Sequence, residues 1–258
     1  MLSIKDILVN GWDKVDILSK YPSEYYIHYT ENTNNLLALI KQKLIEHGFC
    51  IIKPGLGSLK IRDFKQLEKY FSNKLLQSSN SYELEIKPKE GSTKLFAKND
   101  SQPLHTDCAN NGLEPKIVVL HCIQAALNGG FNIIVPISII KQYIKENFNK
   151  TKLLLYDKDA ITYIRNKVII TKSFLKEDGN NMQICAAYAD NFIGKTLAHE
   201  QQFKDIMQYA HVPSHQIRFK LNDGETLVIE NHKILHGRTA FQGERILKRL
   251  WFEGISSK

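Results

Sequence analysis

Residues 104–107, with the sequence Leu-His-Thr-Asp, contain a pair of side chains suited to binding a metal ion, His105 and Asp107. In an extended chain, residues two positions apart project to the same face, so this imidazole and this carboxylate would enter one space. On a helix the two side chains would diverge by about 200°. The pair therefore predicts part of a metal site on a strand, and a third ligand has to come from elsewhere in the chain.

Two histidines near the C-terminal end, His232 and His236, compete for the position of the third ligand. In a strand they would lie about 13 Å apart, so only one of them can reach the ion bound by His105 and Asp107. A helical zinc pair of the metalloprotease type would need glutamate directly after the first histidine, where this chain has Lys233. Two histidines and one carboxylate on one face of an ion leave its other positions open, as in non-haem Fe(II) oxygenases.

The order of three motifs decides between the two histidines. Residues 104–107, 231–241 and 245–249 together resemble the taurine dioxygenase/clavaminate synthase superfamily of Fe(II)- and 2-oxoglutarate-dependent oxygenases. The similarity runs from about residue 94 to residue 254. The resemblance implies that His236 completes the catalytic iron site with the histidine and the aspartate of the first motif.

The resemblance also implies how 2-oxoglutarate is bound. Family members hold its distal carboxylate with an arginine on the strand after the last histidine, which here is Arg249, and a planar guanidinium suits that task. Iron, one aspartate and 2-oxoglutarate leave one negative charge in excess, so a buried site requires a fixed cation. By strand alternation Arg245 shares the face of Arg249 and is a second candidate anion contact. Asn132 stands where the family usually has a threonine that contacts 2-oxoglutarate, and its amide can donate the same hydrogen bond.

The implied reaction consumes O2 and 2-oxoglutarate, yields succinate and CO2, and hydroxylates an unactivated carbon, with desaturation or cyclisation in some relatives. The expected substrate is a small polar metabolite, an amino acid or a related acid of specialised biosynthesis, either free or tethered to an acidic carrier protein. Candidate substrate contacts are Asn99, Asn110 and Tyr188, and Arg238 is expected to form a structural ion pair. Two alternatives stay open: a non-catalytic jelly-roll binding protein, and a nucleic-acid binder that uses the lysine surface.

Composition limits the class of protein. The chain has 258 residues, of which 43% are hydrophobic and 24% charged, and this predicts one soluble globular domain over residues 1–258. Its apolar runs are far shorter than the roughly 20 residues of a membrane helix, and no signal peptide is recognisable, so a cytoplasmic location is expected. The net charge of +8 arises mainly from lysines spread along the whole chain, which predicts a solvated surface without nucleic-acid binding. The four cysteines lack paired spacing, so neither disulfides nor a cysteine zinc site is expected.

The elements that must position the motifs follow from apolar periodicity. Helices are predicted near residues 36–47, 61–71, 137–148 and 199–209. Strands are predicted at residues 49–52, 93–97, 116–123, 131–135, 167–171, 182–188, 216–221, 226–230 and 246–252. Many short strands with helices before and around them predict a mixed α and β protein with a mainly β core, a double-stranded β-helix of the jelly-roll, cupin-like kind. In this prediction residues 1–81 form a mainly helical N-terminal part and residues 82–254 form the core.

Overall fold

The structure is a computed structural model that describes residues 1–14, 23–29, 35–54, 67–77, 81–92, 97–107, 114–149, 153–165, 167–179 and 181–255. Its α-helices in these ranges are α1 (Ile4–Ile7), α2 (Leu36–His47), α3 (Ile137–Asn147) and α4 (Leu197–His211). Short 3-10 turns occupy Ser23–Tyr25, Glu68–Tyr70, Leu154–Tyr156 and Pro213–His215. No helix within the described ranges is long and apolar enough to cross a membrane.

Short strands form most of the regular structure. In chain order they are β1 (Leu2–Ser3), β2 (Tyr26–Tyr29), β3 (Phe49–Pro54), β4 (Glu83–Ile86), β5 (Gln102–His105), β6 (Ile117–Gln124), β7 (Asn128–Gly129), β8 (Asn132–Pro136), β9 (Ile161–Arg165), β10 (Val168–Lys172), β11 (Leu175–Asp178), β12 (Asn181–Ile184), β13 (Asn191–Gly194), β14 (Ile217–Phe219), β15 (Thr226–Glu230), β16 (Ile234–Arg238), β17 (Phe241–Gln242) and β18 (Ile246–Phe252). The predicted mixed architecture with a mainly β core is confirmed.

Two sheets build the part of the molecule that matters for the site. The larger sheet has the strand order β2-β3-β15-β6-β18-β4, and the smaller one has the order β14-β8-β16-β5. Neighbouring strands run antiparallel, except for the parallel pair β2–β3. A further sheet, β1-β13-β9-β10, and the two-stranded pairs β11–β12 and β17–β7 complete the topology of the described residues. Because β2 and β3 belong to the larger sheet, the N-terminal part contributes strands to the core as well as helix α2.

Three predicted elements differ from the structure or fall outside it. Of the helix expected at residues 61–71, only residues 67–71 are described, and they contain the 3-10 turn Glu68–Tyr70. The strand expected at residues 93–97 lies outside the described residues except for Ala97. The strand expected at residues 182–188 ends at Ile184, because the following backbone groups bond to partners outside the β11–β12 hairpin.

Burial on both faces explains the unbroken apolar run of β3. Phe49 and Ile51 pack in the apolar cluster between the larger and the smaller sheet, where they meet Ile134 and Phe219 of the smaller sheet. The alternate residues of β3 point to the other face and pack with the apolar side of α2. A strand buried on both faces reads as a continuous hydrophobic stretch, whereas a half-buried strand alternates.

Strand β5, at the edge of the smaller sheet, is held from outside by helix α4. The backbone N–H of Leu104 donates to Nε2 of His211 at 3.3 Å. Nδ1 of the same ring lies 2.7 Å from the carbonyl oxygen of Met207, to which it donates. His211 therefore has to be neutral for both bonds to exist.

We expect His211 to make the fold sensitive to mild acid. Burial lowers the pKa of His211 to about 4, whereas an unfolded histidine has a pKa of about 6.5. Between these pH values the unfolded chain binds a proton that the folded chain does not, so the free energy of unfolding falls as the pH falls through this window. His211→Phe cannot titrate there, and at pH 7 it should cost about 1–3 kcal/mol because the Leu104 N–H loses its acceptor.

Urea unfolding at pH 7 and pH 5 measures both effects, with replacement of the exposed His28 by glutamine as the control. The loss of stability between the two pH values should be smaller in His211→Phe than in the control. An unchanged pH dependence would show that His211 does not titrate as argued.

Candidate metal centre

The smaller sheet brings the three predicted ligands together. β5 ends at His105, which is the register partner of His236 on β16. Ligand atoms of His105, Asp107 and His236 all lie within 4.8 Å of one another. Oδ1 of Asp107 is 3.8 Å from Nε2 of each histidine. All three side chains are buried, so the cluster is a compact set of two imidazoles and one carboxylate shielded from bulk water.

Gly237 allows the two ligand strands to come this close. A Cβ atom built at this position would lie 2.6 Å from the carbonyl oxygen of Gln102. The register between β16 and β5 also shifts between His236 and Arg238. A larger residue than glycine would therefore push β5 away and separate His105 from His236.

Hydrogen bonds select the tautomer of His105 that a metal requires. Nδ1 of His105 lies 2.8 Å from the carbonyl oxygen of Pro103 and donates to it. Nε2 then carries the lone pair and accepts from the Gln102 side-chain amide at 3.1 Å. Burial, assisted by His236, lowers the pKa of His105 to about 3, so this ring is neutral near pH 7. A neutral imidazole whose other nitrogen donates to a carbonyl is the form in which histidine binds metals.

The Asp107 carboxylate is held in its ionised form. Nη1 of Arg249 donates to its two oxygens at 3.0 and 3.1 Å, and Nε1 of Trp251 donates to Oδ2 at 2.7 Å. Burial alone would raise the pKa of Asp107, but the Arg249 guanidinium, together with the two histidines, holds it well below its usual range. The carboxylate is therefore ionised near neutral pH.

The backbone around Asp107 is fixed by a buried amide. The Asp107 N–H donates to Oδ1 of Asn231 at 2.8 Å, and Nδ2 of Asn231 donates to the Asp107 carbonyl at 2.7 Å and to that of Pro115 at 2.9 Å. One position earlier, Thr106 forms two hydrogen bonds with Ala186. The Thr106 N–H donates to the Ala186 carbonyl at 2.7 Å, and the Ala186 N–H donates to Oγ1 of Thr106 at 3.0 Å. These contacts aim the carboxylate after the strand has ended.

The predicted cofactor-binding residues divide between two ends of one cavity. Besides the three candidate ligands, this cavity is lined by Arg249, Arg245 and Asn132. Arg249 contacts Asp107, and its Nε donates to Oε1 of Gln77 at 2.8 Å. Arg245 instead approaches Oδ1 of Asn132 at 3.4 Å. The sequence placed Arg249 on a bound co-substrate, whereas its partner in the structure is the aspartate.

Arg245 is a buried cation without a counter-ion among the described residues. It is 6% exposed, and within those residues no carboxylate lies within ion-pair distance of it. Burial lowers the pKa of Arg245 to about 10, so the guanidinium stays charged near neutral pH. A buried charge of this kind calls for an anionic ligand in the cavity.

The predicted substrate contacts are found in three different situations. The Tyr188 ring meets the His105 ring edge-on at a centroid distance of 6.0 Å, and the Arg165 guanidinium lies 4.6 Å from its centroid. Asn99 is exposed, and its carbonyl accepts from the N–H of Phe241. Asn110 lies outside the described residues.

Arg238 has a different partner from the one expected. Its Nη2 donates to the carbonyl oxygens of Lys98 and Asp100 at 3.0 and 2.6 Å, and the guanidinium lies 4.6 Å from the centroid of Phe241. Within the described part of the chain it forms no ion pair, so the expectation of an ion pair is wrong, although the role is structural. The side chain is buried, and backbone carbonyls accept from Nη2, while Nε has no hydrogen-bond partner among the described residues.

Sequence reasoning missed four polar residues that support the cluster: Gln77, Gln102, Asn231 and Trp251. Trp251 had a detectable signal, because it stands two residues after Arg249 and strand alternation puts both side chains on one face. The other three had none, since a glutamine or asparagine that bonds to a distant backbone or side chain leaves no periodic pattern.

The two packed sheets and the buried cluster define the class: a β-rich protein with two histidines and one carboxylate arranged to bind a metal ion. A family model described as taurine catabolism dioxygenase TauD, TfdA family, matches residues 21–251, and the chain belongs to this family. It is accordingly an oxidoreductase of the dioxygenase class. A search of curated proteins finds no match.

Solved structures share the fold at low sequence identity. PvcB from Pseudomonas aeruginosa is similar with a TM-score of 0.65 and 14% identity, over 90% of each chain. An asparagine oxygenase in complex with Fe(II), 3-hydroxyasparagine and succinate has a TM-score of 0.61 and 11% identity, over 84% of this chain and 78% of that one. The non-haem iron oxygenase OrfP in complex with Fe and α-ketoglutaric acid has a TM-score of 0.62 and 13% identity, over 85% of this chain and 80% of that one.

We expect Trp251→Phe to weaken metal binding without unfolding the protein. Phenylalanine keeps an aromatic ring beside Arg249 but removes the N–H that donates to Asp107. Loss of such a supporting hydrogen bond lowers metal affinity by about ten- to hundredfold. Titration of apo-protein with Fe(II) or Mn(II) measures the change, and thermal unfolding without metal checks the fold. An affinity equal to that of the wild type would mean that Trp251 does not orient the carboxylate.

Proposed function

We propose that the protein is an Fe(II)- and 2-oxoglutarate-dependent oxygenase, with a double-stranded β-helix core, that hydroxylates a small metabolite carrying an acidic group, such as an amino acid. Membership in the dioxygenase family supplies the class of reaction. The observation that carries the proposal is the buried Arg245, which has no counter-ion among the described residues and lines the cavity of the His105, Asp107 and His236 cluster. An enzyme that binds a dianionic co-substrate beside its metal needs such a cation.

The three side chains fit Fe(II). Two neutral imidazoles and one carboxylate are the donor set of non-haem iron oxygenases, and they leave positions open for exogenous ligands. The His105 tautomer presents the Nε2 lone pair, and Nδ1 of His236 is buried without a hydrogen-bond partner among the described residues. When bound, iron with 2-oxoglutarate and O2 supplies the oxidant for a C–H bond, and 2-oxoglutarate leaves as succinate and CO2.

We assign the distal carboxylate of 2-oxoglutarate to Arg245 and Asn132. Asn132 occupies the position of the family threonine that contacts this group, and it is Arg245 that lies beside Asn132. Arg249 is already engaged with Asp107 and Gln77. This assignment exchanges the roles expected of the two arginines.

Charge then favours an anionic substrate. Iron, Asp107 and 2-oxoglutarate together carry one negative charge, and the guanidiniums of Arg245 and Arg249 turn this into one positive charge in excess, before Arg238, which lines the same cavity, is counted. Arg249 lies beside a metal ligand, so the excess charge is close to the position where a substrate must be oxidised. A carboxylate on the substrate would balance this excess positive charge.

Apolar side chains line the cavity, and Tyr188, which has an apolar ring and a polar hydroxyl, lies beside His105. Ile134, Leu227 and Leu247 line the cavity and keep bulk water from the reacting groups. Tyr188, half-buried between His105 and Arg165, is the described residue best situated to contact a substrate. The neighbours support an amino-acid substrate, since one asparagine oxygenase structure contains 3-hydroxyasparagine and one OrfP structure contains (3S)-hydroxy-L-Arg.

We expect Arg245→Gln to weaken 2-oxoglutarate binding. Fe(II) and 2-oxoglutarate, added anaerobically, should give the weak visible charge-transfer band of the chelate in the wild type and no band in His236→Ala. Losing a charge-assisted contact costs about 1.5–3 kcal/mol, so the 2-oxoglutarate concentration for half-formation should rise about ten- to hundredfold in Arg245→Gln. Lys248→Gln, on the opposite face of the same strand, is the matched control and should leave it unchanged. No band in the wild type would refute the function, and an unaffected Arg245→Gln would refute the assignment.

Substrate-stimulated succinate formation tests the acidic-group requirement. We expect free amino acids to stimulate turnover more than the corresponding methyl esters, because the esters lack the negative charge that balances the excess positive charge of the cavity. The panel includes amino acids tethered to a carrier protein. Equal stimulation by acids and their esters would contradict the proposed role of substrate charge, while the charge-transfer band would still report an intact iron site.

A further inference from the structure

A second group of potential metal ligands lies outside the residues of the oxygenase cavity. Glu114, Cys185 and His232 each offer one ligand atom, and these atoms lie within 4.8 Å of one another. None of the three lines the cavity of the first cluster or takes part in the reaction proposed above. We propose that this second cluster binds a zinc ion as a structural site.

The donor set favours zinc over the metals of oxygen-rich sites. A thiolate and an imidazole are soft or borderline ligands, and with one carboxylate they supply three of the four donors of a tetrahedral Zn²⁺ site, whose fourth position is left to the second Glu114 oxygen or to water. Zinc bonds of about 2.0–2.3 Å place donor atoms roughly 3.3–3.8 Å apart in a tetrahedral site, so the cluster needs to contract by about 1 Å. Sγ of Cys185 already lies 3.1 Å from Oε1 of Glu114.

His232 supplies the second observation that points to a ligand. Its side chain belongs to a residue that is 9% exposed, and Nδ1 is buried with no hydrogen-bond partner in the described part of the chain. An unsatisfied buried ring nitrogen is costly unless something binds it. The neighbouring groups are the thiol of Cys185 and the carboxylate of Glu114, and both types of group bind metal ions together with imidazole.

Two lysines compete with a metal for the same carboxylate. Lys172 and Lys176 donate to the two oxygens of Glu114 at 2.5 and 2.9 Å, and they hold the pKa of Glu114 at about 2 although burial opposes the shift. Nζ of Lys172 also lies 3.8 Å from Sγ of Cys185, where a positive charge favours the thiolate. Long lysine stems can turn their charged ends towards water, so zinc displaces them without refolding the chain.

Chain neighbours of this cluster hold the first cluster in position. Ala186, next to Cys185, bonds to Thr106, and Asn231, next to His232, bonds to Asp107. Pro115, next to Glu114, accepts from the same Asn231 amide. A zinc ion here would tie together the three segments that support the aspartate of the iron site.

Cobalt(II) is the probe that separates the two sites. A thiolate ligand gives Co(II) an intense near-ultraviolet charge-transfer band that two imidazoles and a carboxylate cannot produce. We expect wild-type apo-protein to develop this band with two equivalents of Co(II), enough to fill both clusters, and to lose it on addition of Zn(II). The band should persist in His236→Ala and disappear in Cys185→Ser. In His232→Ala, Co(II) affinity should fall at least about tenfold. Loss of a residue that hydrogen-bonds to a metal ligand already lowers affinity by about this factor, and loss of the ligand itself should cost at least as much.

The other cysteines provide matched controls. Cys50→Ser and Cys122→Ser change buried thiols outside the cluster and should keep the band, as should Cys108→Ser. Lys172→Met combined with Lys176→Met removes the competing ammonium groups and should raise Co(II) affinity by at least about tenfold.

Two results would overturn the proposal: absence of the band from both the wild type and the double lysine variant, or its loss in Cys108→Ser with retention in Cys185→Ser. Neither result bears on oxygenase activity, since the band does not require His236.

Discussion

The Asn231 side chain is the interaction on which the candidate iron site depends. Asp107 follows the end of β5, so its backbone has no strand partner, and the fully buried Asn231 amide takes the place of one by bonding to its N–H and its carbonyl. An amide can do this because it is both donor and acceptor, whereas an aspartate at position 231 could only accept. The same amide donates to the carbonyl of Pro115, so one side chain joins Asp107 to a segment eight residues further along the chain.

Buried charge organises everything around this anchor. The aspartate is balanced by Arg249 and hydrogen-bonded by Trp251, while Arg245, four residues earlier on the same strand face, has no such balance within the described residues. Arg238 shows the other solution, in which backbone carbonyls surround a guanidinium and no anion is needed. The three arginines of this region thus have three electrostatic environments, and Arg245 is the one with neither a carboxylate nor a backbone carbonyl as partner among the described residues.

Much of this arrangement follows from local rules. Alternation in β18 predicted that Arg245, Arg249 and Trp251 share one face, and the two-residue spacing predicted that His105 and Asp107 converge. Strand geometry also excluded joint use of His232 and His236, although it could not say that His232 belongs to a different cluster. Composition argued against a cysteine metal site because Cys185 has no paired cysteine nearby, and that reasoning cannot see ligands that come from three separate segments.

Contacts between distant segments had no signal in the sequence. Asn231 meets Asp107 across 124 positions and Gln77 meets Arg249 across 172, and neither contact depends on periodicity or on a short motif. The contact between Arg249 and Asp107 had no signal for the same reason. Distance along the chain from His236 places Arg245 just before β18 and Arg249 within it, but it does not show that Asp107 engages one of them.

The pairing of β5 with β16 has a consequence for dynamics. β5 is a four-residue strand at the edge of its sheet, with His211 as its support on the outer side. Short edge strands open at low free energy, and local opening here would part His105 from His236. A metal ion held by both strands acts as a staple across this edge, so that part of its binding energy becomes protection of the β5 amides against hydrogen exchange.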